Sequence, residues 1–316
     1  MSKKHIAIIY SNRAEFSILK PIADKLKEKE ISYECIDLSE KIKNIEHDKN
    51  LGKIFEFTFE NIASRFEKAV VVGDRRECLF ACLAFFIKGT PVVQLASGDL
   101  SEELATIDDF FRHIITIISE RQIAFSSKGL KLTENLLSLL NIKSNSAFLP
   151  NPTLDGIDPE DLERAIIEPY DLVLLHPQSL SRKDTLKDKE HVDSIIQDSL
   201  RDKEKTTIII KGNKDKNHDI LYDYWNELEV RDSDDLYWAR QAGRLKIYEN
   251  LQKEKFLSLV KYCDRFITNS SCASYEAPIF LNDNQIVMIG KRNKGRQKII
   301  EQDLNSAQNI LNFILS

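Results

Sequence analysis

The chain has 316 residues, 42% of them hydrophobic and 30% charged, with 45 Lys and Arg against 50 Asp and Glu for a formal net charge of −5. That length suits two domains of about 150 residues each, and the apolar content is enough for two cores. The acidic balance argues against a general nucleic-acid binder, no stretch approaches the roughly 18 apolar residues of a membrane-spanning helix, and the five cysteines show no metal-ligand spacing.

The opening MSKKHIAIIYSN enters a strand directly, without the longer apolar stretch of a secretory signal. With an odd cysteine count, this points to a reducing cytoplasm. Strand-like runs follow one another in the first half: HIAIIYS (5–11), YECIDL (33–38), AVVVG (69–73), PVVQLA (91–96), QIAFSS (122–127) and SAFLP (146–150). The second half continues with DLVLLH (171–176), TTIIIK (206–211), LKIYE (245–249), DRFIT (264–268) and QIVMI (285–289). Runs such as VVV, VLL and III are continuous rather than alternating, as in parallel strands buried on both faces. Between them the spacing is helical: Phe16, Leu19, Ile22, Ala23 and Leu26 recur at three and four. Cys78 and Cys82, four apart in another apolar helical run, read as buried thiols. Strand–helix alternation through both halves predicts an α/β chain of two doubly wound, Rossmann-like domains. The segment 150–171, with four of the eight prolines, divides them into 1–160 and 161–316. The helical piece 303–316 is open to packing on either domain, including back on the N-terminal one.

Ligands of open α/β sheets bind outside the carboxyl ends of the strands. The polar groups there are Ser11-Asn12-Arg13, Gly73-Asp74-Arg75, Ser97-Gly98-Asp99, His176, Lys211-Gly212-Asn213 and Asn269-Ser270-Ser271. Five of these six sites carry a charged or imidazole group, more than turns require. Two such halves imply one inter-domain cleft for a ligand. No GxGxxG follows the first strand and GxxxxGK[ST] is absent, which argues against a nicotinamide enzyme and a P-loop NTPase, and there is no HExxH or other metal-ligand grouping.

Several stretches carry two readings each. Asn269-Ser270-Ser271, at the mouth of a strand, suit a helix N-cap or an anion site at a helix N-terminus. Asp74 in VVVGDRRE caps the next helix or serves chemistry. In IDDFFRHII, Asp108 and Arg112 are one helical turn apart, as are Asp109 and His113. These are two exposed ion pairs, or a carboxylate and a guanidinium sharing one face for proton transfer beside a phosphate. His176 is a hydrogen-bonding strand end or a catalyst. GKRNKGR (290–296), with four positive charges, is a solvated loop or a backbone-lined ligand site.

Together and in order, these stretches resemble the UDP-N-acetylglucosamine 2-epimerase family, most closely its hydrolysing branch serving sialic-acid-like pathways. SNRAEFSILKPI is similar to the family's G-T-R-A-E/D opening, and VVVGDRRECLFACLAFFIKGTPV to its GDR-x-E segment and IPV strand. DDFFRHIIT is similar to D-D-S-I-R-H-A-I-T, and LPNPTLDGI to a G-N/S-P-x-L-D turn. ITNSSCASYEAPIF resembles G-N-S-S-S-G-I-x-E-A-P-x-F, and IGKRNKGR resembles I-G-x-R-Q-x-G-R. The likeness covers nearly the whole chain.

The resemblance implies a glycosyltransferase-B arrangement of the two domains. The activity it implies is C2 deprotonation of a UDP-2-acetamido sugar, anti-elimination of UDP, and addition of water to release a free 2-epimeric sugar such as N-acetylmannosamine. It gives Asp74 and Asp108 acid–base roles, with Asp99 matching a later acidic residue, and sets Arg112 and His176 to neutralise the departing UDP. It has Ser270, Ser271, Glu276, Arg13, Arg292 and Arg296 bind the nucleotide, with His113, Asn213 and Asn269 among the binding residues. The partner is a UDP-sugar, with neither metal nor redox cofactor, and relatives are often homodimers. The chain departs from the family at QLASGDL, where Ala96 stands in place of an expected Glu or His, and at KGNKD (211–215). That departure leaves two other readings: a glycosyltransferase on the same fold, and a non-catalytic nucleotide-sugar binder.

Overall fold

The computed structural model describes residues 4–42, 48–100, 107–178, 181–212, 217–231, 233–293, 298 and 305–316, and among these it places eleven strands within three residues of the apolar runs. In chain order the first part holds β1 (Lys4–Tyr10), α1 (Arg13–Glu28), β2 (Tyr33–Asp37), α2 (Leu38–Lys41), α3 (Leu51–Asn61), β3 (Phe66–Val72) and α4 (Arg76–Ile87). It continues with β4 (Val92–Leu95), α5 (Ile107–Ile118), β5 (Arg121–Ala124), α6 (Ser127–Leu139) and β6 (Ser146–Phe148). After the proline-rich segment come β7 (Tyr170–Leu175), α7 (Arg182–Arg201), β8 (Thr206–Lys211), α8 (His218–Val230), α9 (Asp234–Gln241) and β9 (Leu245–Tyr248). Then follow α10 (Lys253–Tyr262), β10 (Arg265–Thr268), α11 (Cys272–Tyr275), β11 (Ile286–Met288) and α12 (Ser306–Leu315).

The chain divides into two compact units, Met1–Gly156 with Glu301–Ser316, and Ile157–Ile300. The first carries a six-stranded sheet in the order β2-β1-β3-β4-β5-β6, the second a five-stranded sheet in the order β11-β10-β7-β8-β9. Every pairing between the strands is parallel. The first order is flavodoxin-like, and the second is the dinucleotide-binding order 3-2-1-4-5 without a sixth strand among the described residues. Both units are therefore doubly wound, as the continuous apolar runs predict. All six residues of β7 and all six of β8 are buried, which is what helices on both faces of a sheet demand.

The helices bury their apolar stripes against these sheets. In α1, Leu19, Ile22, Ala23 and Leu26 are buried. Phe16 is not part of that core; it is half-buried, and its ring lies 4.7 Å from that of Tyr10. The buried residue of that first turn is Glu15. Helix α12 returns to the first unit and packs on α1. Its Ser306 Oγ donates to the Pro150 carbonyl at 2.7 Å, and Arg121 donates to the Phe313 carbonyl at 2.9 Å. No helix among the described residues is long and apolar enough to cross a membrane.

Candidate active site

A ligand of a doubly wound sheet sits where the strand order reverses. In the first unit that point lies between β1 and β3, in the second between β7 and β10. The carboxyl ends of these four strands lead into Ser11–Arg13, Gly73–Asp74, His176 and Asn269–Ser271. The topology thus singles out four of the six polar strand ends seen in the sequence.

In the first unit the centrepiece is Arg112, a guanidinium only 1% exposed. Its Nη2 donates to Asp74 Oδ2 at 2.7 Å and its Nη1 donates to the Ala96 carbonyl at 2.7 Å. This corrects the reading of Asp108 and Arg112 as an exposed ion pair, because Arg112 turns across the sheet to a residue 38 positions away. Asp109 is fully buried, so it is not one half of an exposed ion pair with His113 either. Asp108 and His113 are half-buried on the same helix. Burial, and then the Arg112 charge, lower the pKa of His113 below its ordinary value, against a raising contribution from Asp109. Nδ1 of His113 is buried without a hydrogen-bond partner. Gln94, buried inside β4, clamps the arrangement: Nε2 donates to the carbonyls of Gly73 (3.3 Å) and Arg112 (3.0 Å), while Oε1 accepts from Thr116 Oγ1 at 2.7 Å. Gly73 is required by the same contact, since a Cβ there would lie 2.7 Å from Gln94 Nε2.

Ala96 has φ +59°, a left-handed conformation that costs an ordinary L-residue roughly 1–2 kcal/mol. Its carbonyl faces Arg112 as a result. Asp99 is buried, and its Oδ1 accepts from Ser126 Oγ at 3.3 Å; Ser126 in turn caps α6 by accepting from the Gly129 amide. The structure therefore places Asp99 at the start of α6. Arg13 is exposed at the first position of α1. Beside it, Asn12 accepts from the Glu15 amide at 2.9 Å, and Glu15 Oε2 accepts from the Ser11 amide (2.6 Å) and hydroxyl (2.9 Å). Cys78 Sγ donates to Glu15 Oε1 at 3.3 Å, tying the β1 exit to α4. Burial pushes the Glu15 carboxyl up from its usual 4.5 to about 7; Arg75 and the Ser11 hydrogen bonds oppose the rise, and Asp74 adds to it.

In the second unit the Asn269 side chain is consumed by the protein itself. Its Oδ1 accepts from the His176 amide and its Nδ2 donates to the His176 carbonyl, both at 2.8 Å. Asn269 thus builds the loop that presents His176. The ring of His176 is backed by Gly212, where a Cβ would stand 2.9 Å from Nδ1 and 2.2 Å from the Leu175 carbonyl oxygen. Ser270 Oγ accepts from the Cys272 amide at 3.4 Å, and Ser271 is the N-cap residue of α11 with no side-chain cap bond. The helix that follows is only four residues long, so its dipole is small, and any anion there would rely on local donors. Glu276, half-buried, ends that helix. Arg292 Nη1 donates to the Pro177 carbonyl at 2.9 Å and Asn293 donates to the Asn269 carbonyl at 2.6 Å, which brings residues 290–293 onto the β7 and β10 exits. Asn213 and Arg296 lie outside the described residues. Among the described residues no cluster of three or more His, Cys, Asp or Glu side chains is arranged to hold a metal.

Sequence reasoning missed Glu15 and Gln94. Gln94 had a signal, being a polar residue inside an apolar strand run. The burial of Glu15 was masked by its place in what reads as an exposed first turn.

The sequence model of the UDP-N-acetylglucosamine 2-epimerase family matches residues 26–305. A GDP/UDP-N,N'-diacetylbacillosamine 2-epimerase (hydrolyzing) of Campylobacter jejuni is 27% identical over 96% of this chain and 86% of its own. Among solved structures, the UDP-GlcNAc 2-epimerase of Neisseria meningitidis bound to UDP-GlcNAc superposes with a TM-score of 0.74 at 14% identity, covering 98% of this chain and 99% of that one. The Methanocaldococcus jannaschii UDP-GlcNAc 2-epimerase, in complex with UDP-GlcNAc and UDP, gives 0.70 at 16% identity, with 98% and 99% covered. These two likenesses establish the fold.

Proposed function

The chain belongs to the UDP-N-acetylglucosamine 2-epimerase family, and from that premise we propose that it is a hydrolysing UDP-sugar 2-epimerase acting on a UDP-2-acetamido sugar. The observation that carries the reading is the buried Arg112 joining Asp74 to the Ala96 carbonyl at the strand exits of the first unit. A buried guanidinium aimed at a half-exposed carboxylate is an arrangement for charge developing during a reaction.

In the proposed reaction a carboxylate removes the C2 proton, and the electron pair forms a C1–C2 double bond as the C1–oxygen bond to UDP breaks. Water then adds across that bond, its hydroxyl to C1 and a proton to C2 from the opposite face, leaving the free 2-epimer and UDP. Asp74 and Asp108 act as base and acid, with Asp99 in support from the start of α6. Arg112 and His176 offset charge on the departing diphosphate. Ser270, Ser271, Glu276, Arg292 and Arg13 hold the nucleotide, together with Asn213 and Arg296, and His113 and Asn269 belong to the same binding set.

The hydrolysing relative supports release of a free sugar, of which N-acetylmannosamine for a sialic-acid-like route is one example. Four buried cysteines of five free ones suit a reducing cytoplasm. A homodimer fits the apolar stripe of Ile107, Phe110 (58% exposed) and Ile114 on α5. Proton NMR in deuterated water tests the reaction, with UDP-N-acetylglucosamine and with a UDP-2,4-diacetamido sugar. The expected result from one of them is UDP plus a 2-epimeric free sugar carrying deuterium at C2. Free sugar with its C2 proton and configuration retained would overturn the proposal.

A further inference from the structure

Helix α7 carries a carboxylate to which neither the motifs nor the proposed chemistry give a part. Asp188 is 5% exposed, and its Oδ2 accepts from Gln178 Nε2 at 2.8 Å and from Asn269 Nδ2 at 3.2 Å. On its other side Gly290, at φ +65°, comes so near that a Cβ would stand 2.4 Å from Asp188 Oδ1. The loops after β7, β10 and β11 therefore meet on one carboxylate. Three residues earlier on the same helix, Thr185 Oγ1 accepts from the Gln178 amide at 2.8 Å, so one face of α7 holds the β7 exit at two points.

The consequence runs through Asn269. An amide side chain fits its site in either of two orientations unless its neighbours discriminate between oxygen and nitrogen. The His176 N–H is a donor and demands Oδ1; the His176 carbonyl and Asp188 are acceptors and demand Nδ2. Asp188 supplies the one demand that comes from outside the β7 loop. The Asn269 carbonyl then receives Asn293 Nδ2, and Arg292 reaches the Pro177 carbonyl. We propose that Asp188 is a positioning residue: by fixing the Asn269 amide it sets the main chain of His176 and the seat of the Gly290–Asn293 loop. In the reading that rests on the proposed function, this is the surface that grips UDP.

Two variants separate this from a merely structural part. Asp188→Asn keeps the shape and one acceptor oxygen able to serve both amides; Asp188→Ala removes both acceptors. The first readout is hydrogen exchange at the His176 backbone amide, which needs no ligand. It is expected to quicken at least tenfold in Asp188→Ala and to stay within threefold of the parent in Asp188→Asn. The second is the Kd for UDP by calorimetry, on protein shown by circular dichroism to be folded. It is expected to weaken about 10–100-fold in Asp188→Ala, the scale seen when a residue orienting a metal ligand is lost, and to be restored by Asp188→Asn. Unchanged exchange and unchanged Kd in Asp188→Ala would overturn the proposal, as would an Asp188→Asn protein as impaired as the Ala variant. Should the parent protein fail to bind UDP while His176 exchange responds as described, the functional reading falls and the positioning role stands.

Discussion

A guanidinium taken out of water needs acceptors in the right directions, and Arg112 has two, one of them a main-chain carbonyl turned toward it by the unusual φ of Ala96. Lysine cannot reproduce that fork. Arg112→Lys is expected to lower kcat by at least about tenfold and to cost roughly 1–3 kcal/mol of stability through acceptors left unpaired. Asp74→Asn keeps an acceptor for Arg112 but cannot take a proton. It is expected to lower kcat by about 10²–10⁴-fold with the melting temperature little moved, as steady-state kinetics and calorimetry will show. Glu15 makes a different prediction. Its folded pKa is raised, from 4.5 to about 7. The stability it permits is therefore complete below the unfolded value and is lost as pH rises through the folded one, by roughly 3 kcal/mol in all. Urea titrations at pH 5 and pH 8 are expected to show the parent weakening relative to Glu15→Gln at the higher pH. At this scale residue types were legible and partners were hidden. Asp108 is the obvious mate for Arg112 by helical spacing, yet Asp74 takes that place because parallel strands bring distant loops to one edge.

Elements were far more legible, since a doubly wound sheet writes itself as apolar runs separated by helical stripes. Even the strand-end polar groups could be read, because little else explains an arginine or a histidine there. The short length of α11 could not be read: SSCASYEAP has a good cap and small residues, but the proline at 278 and the turn at Ala277–Ile279 leave it four residues. Gly212 has a part that only packing reveals. Gly212→Ala is expected to destabilise the second unit by about 1–3 kcal/mol and to reduce activity by shifting His176, both measurable on one purified variant. The opposite end of that sheet behaves differently. Asp171, fully buried in β7, accepts from Ser199 (2.7 Å), Lys205 (3.1 Å) and Arg265 (3.1 Å to Nε). Burial raises its pKa, but the bonds from Arg265, Ser199 and Lys205 outweigh that and leave it below its ordinary value. Its contribution is thus present above the unfolded pKa and lost only as pH falls through the depressed folded one. Asp171→Ala, which leaves Lys205 only Asp264 at 3.3 Å and takes from Arg265 its buried acceptor, is expected to cost about 1–3 kcal/mol in chemical denaturation, with the UDP affinity of the folded fraction unchanged.

Over the whole molecule, the first unit is discontinuous: residues up to Gly156 form its sheet, and α12 joins from beyond the second unit. Ala307, Ile310, Leu311 and Ile314 are fully buried there, and the three larger side chains contribute about 1.5–3 kcal/mol each. Removing residues 305–316 therefore takes away an amount comparable with a domain's entire stability. Limited proteolysis is expected to cut the first unit of the truncated protein while leaving 157–300 resistant. The chain passes from the first unit to the second after Gly156, within the proline-rich segment 150–171. The return of α12 was not legible in the sequence, because an amphipathic helix does not say which sheet it will cover.

That return sets an order of assembly during synthesis. At about 5–20 residues per second, the helix that covers α1 leaves the ribosome roughly 7–30 s after the rest of its unit, and only when the whole second unit has been made. The unit translated second, continuous in sequence, matures first. The unit translated first waits with part of its core open, and in that interval a chaperone or an aggregating neighbour can reach it.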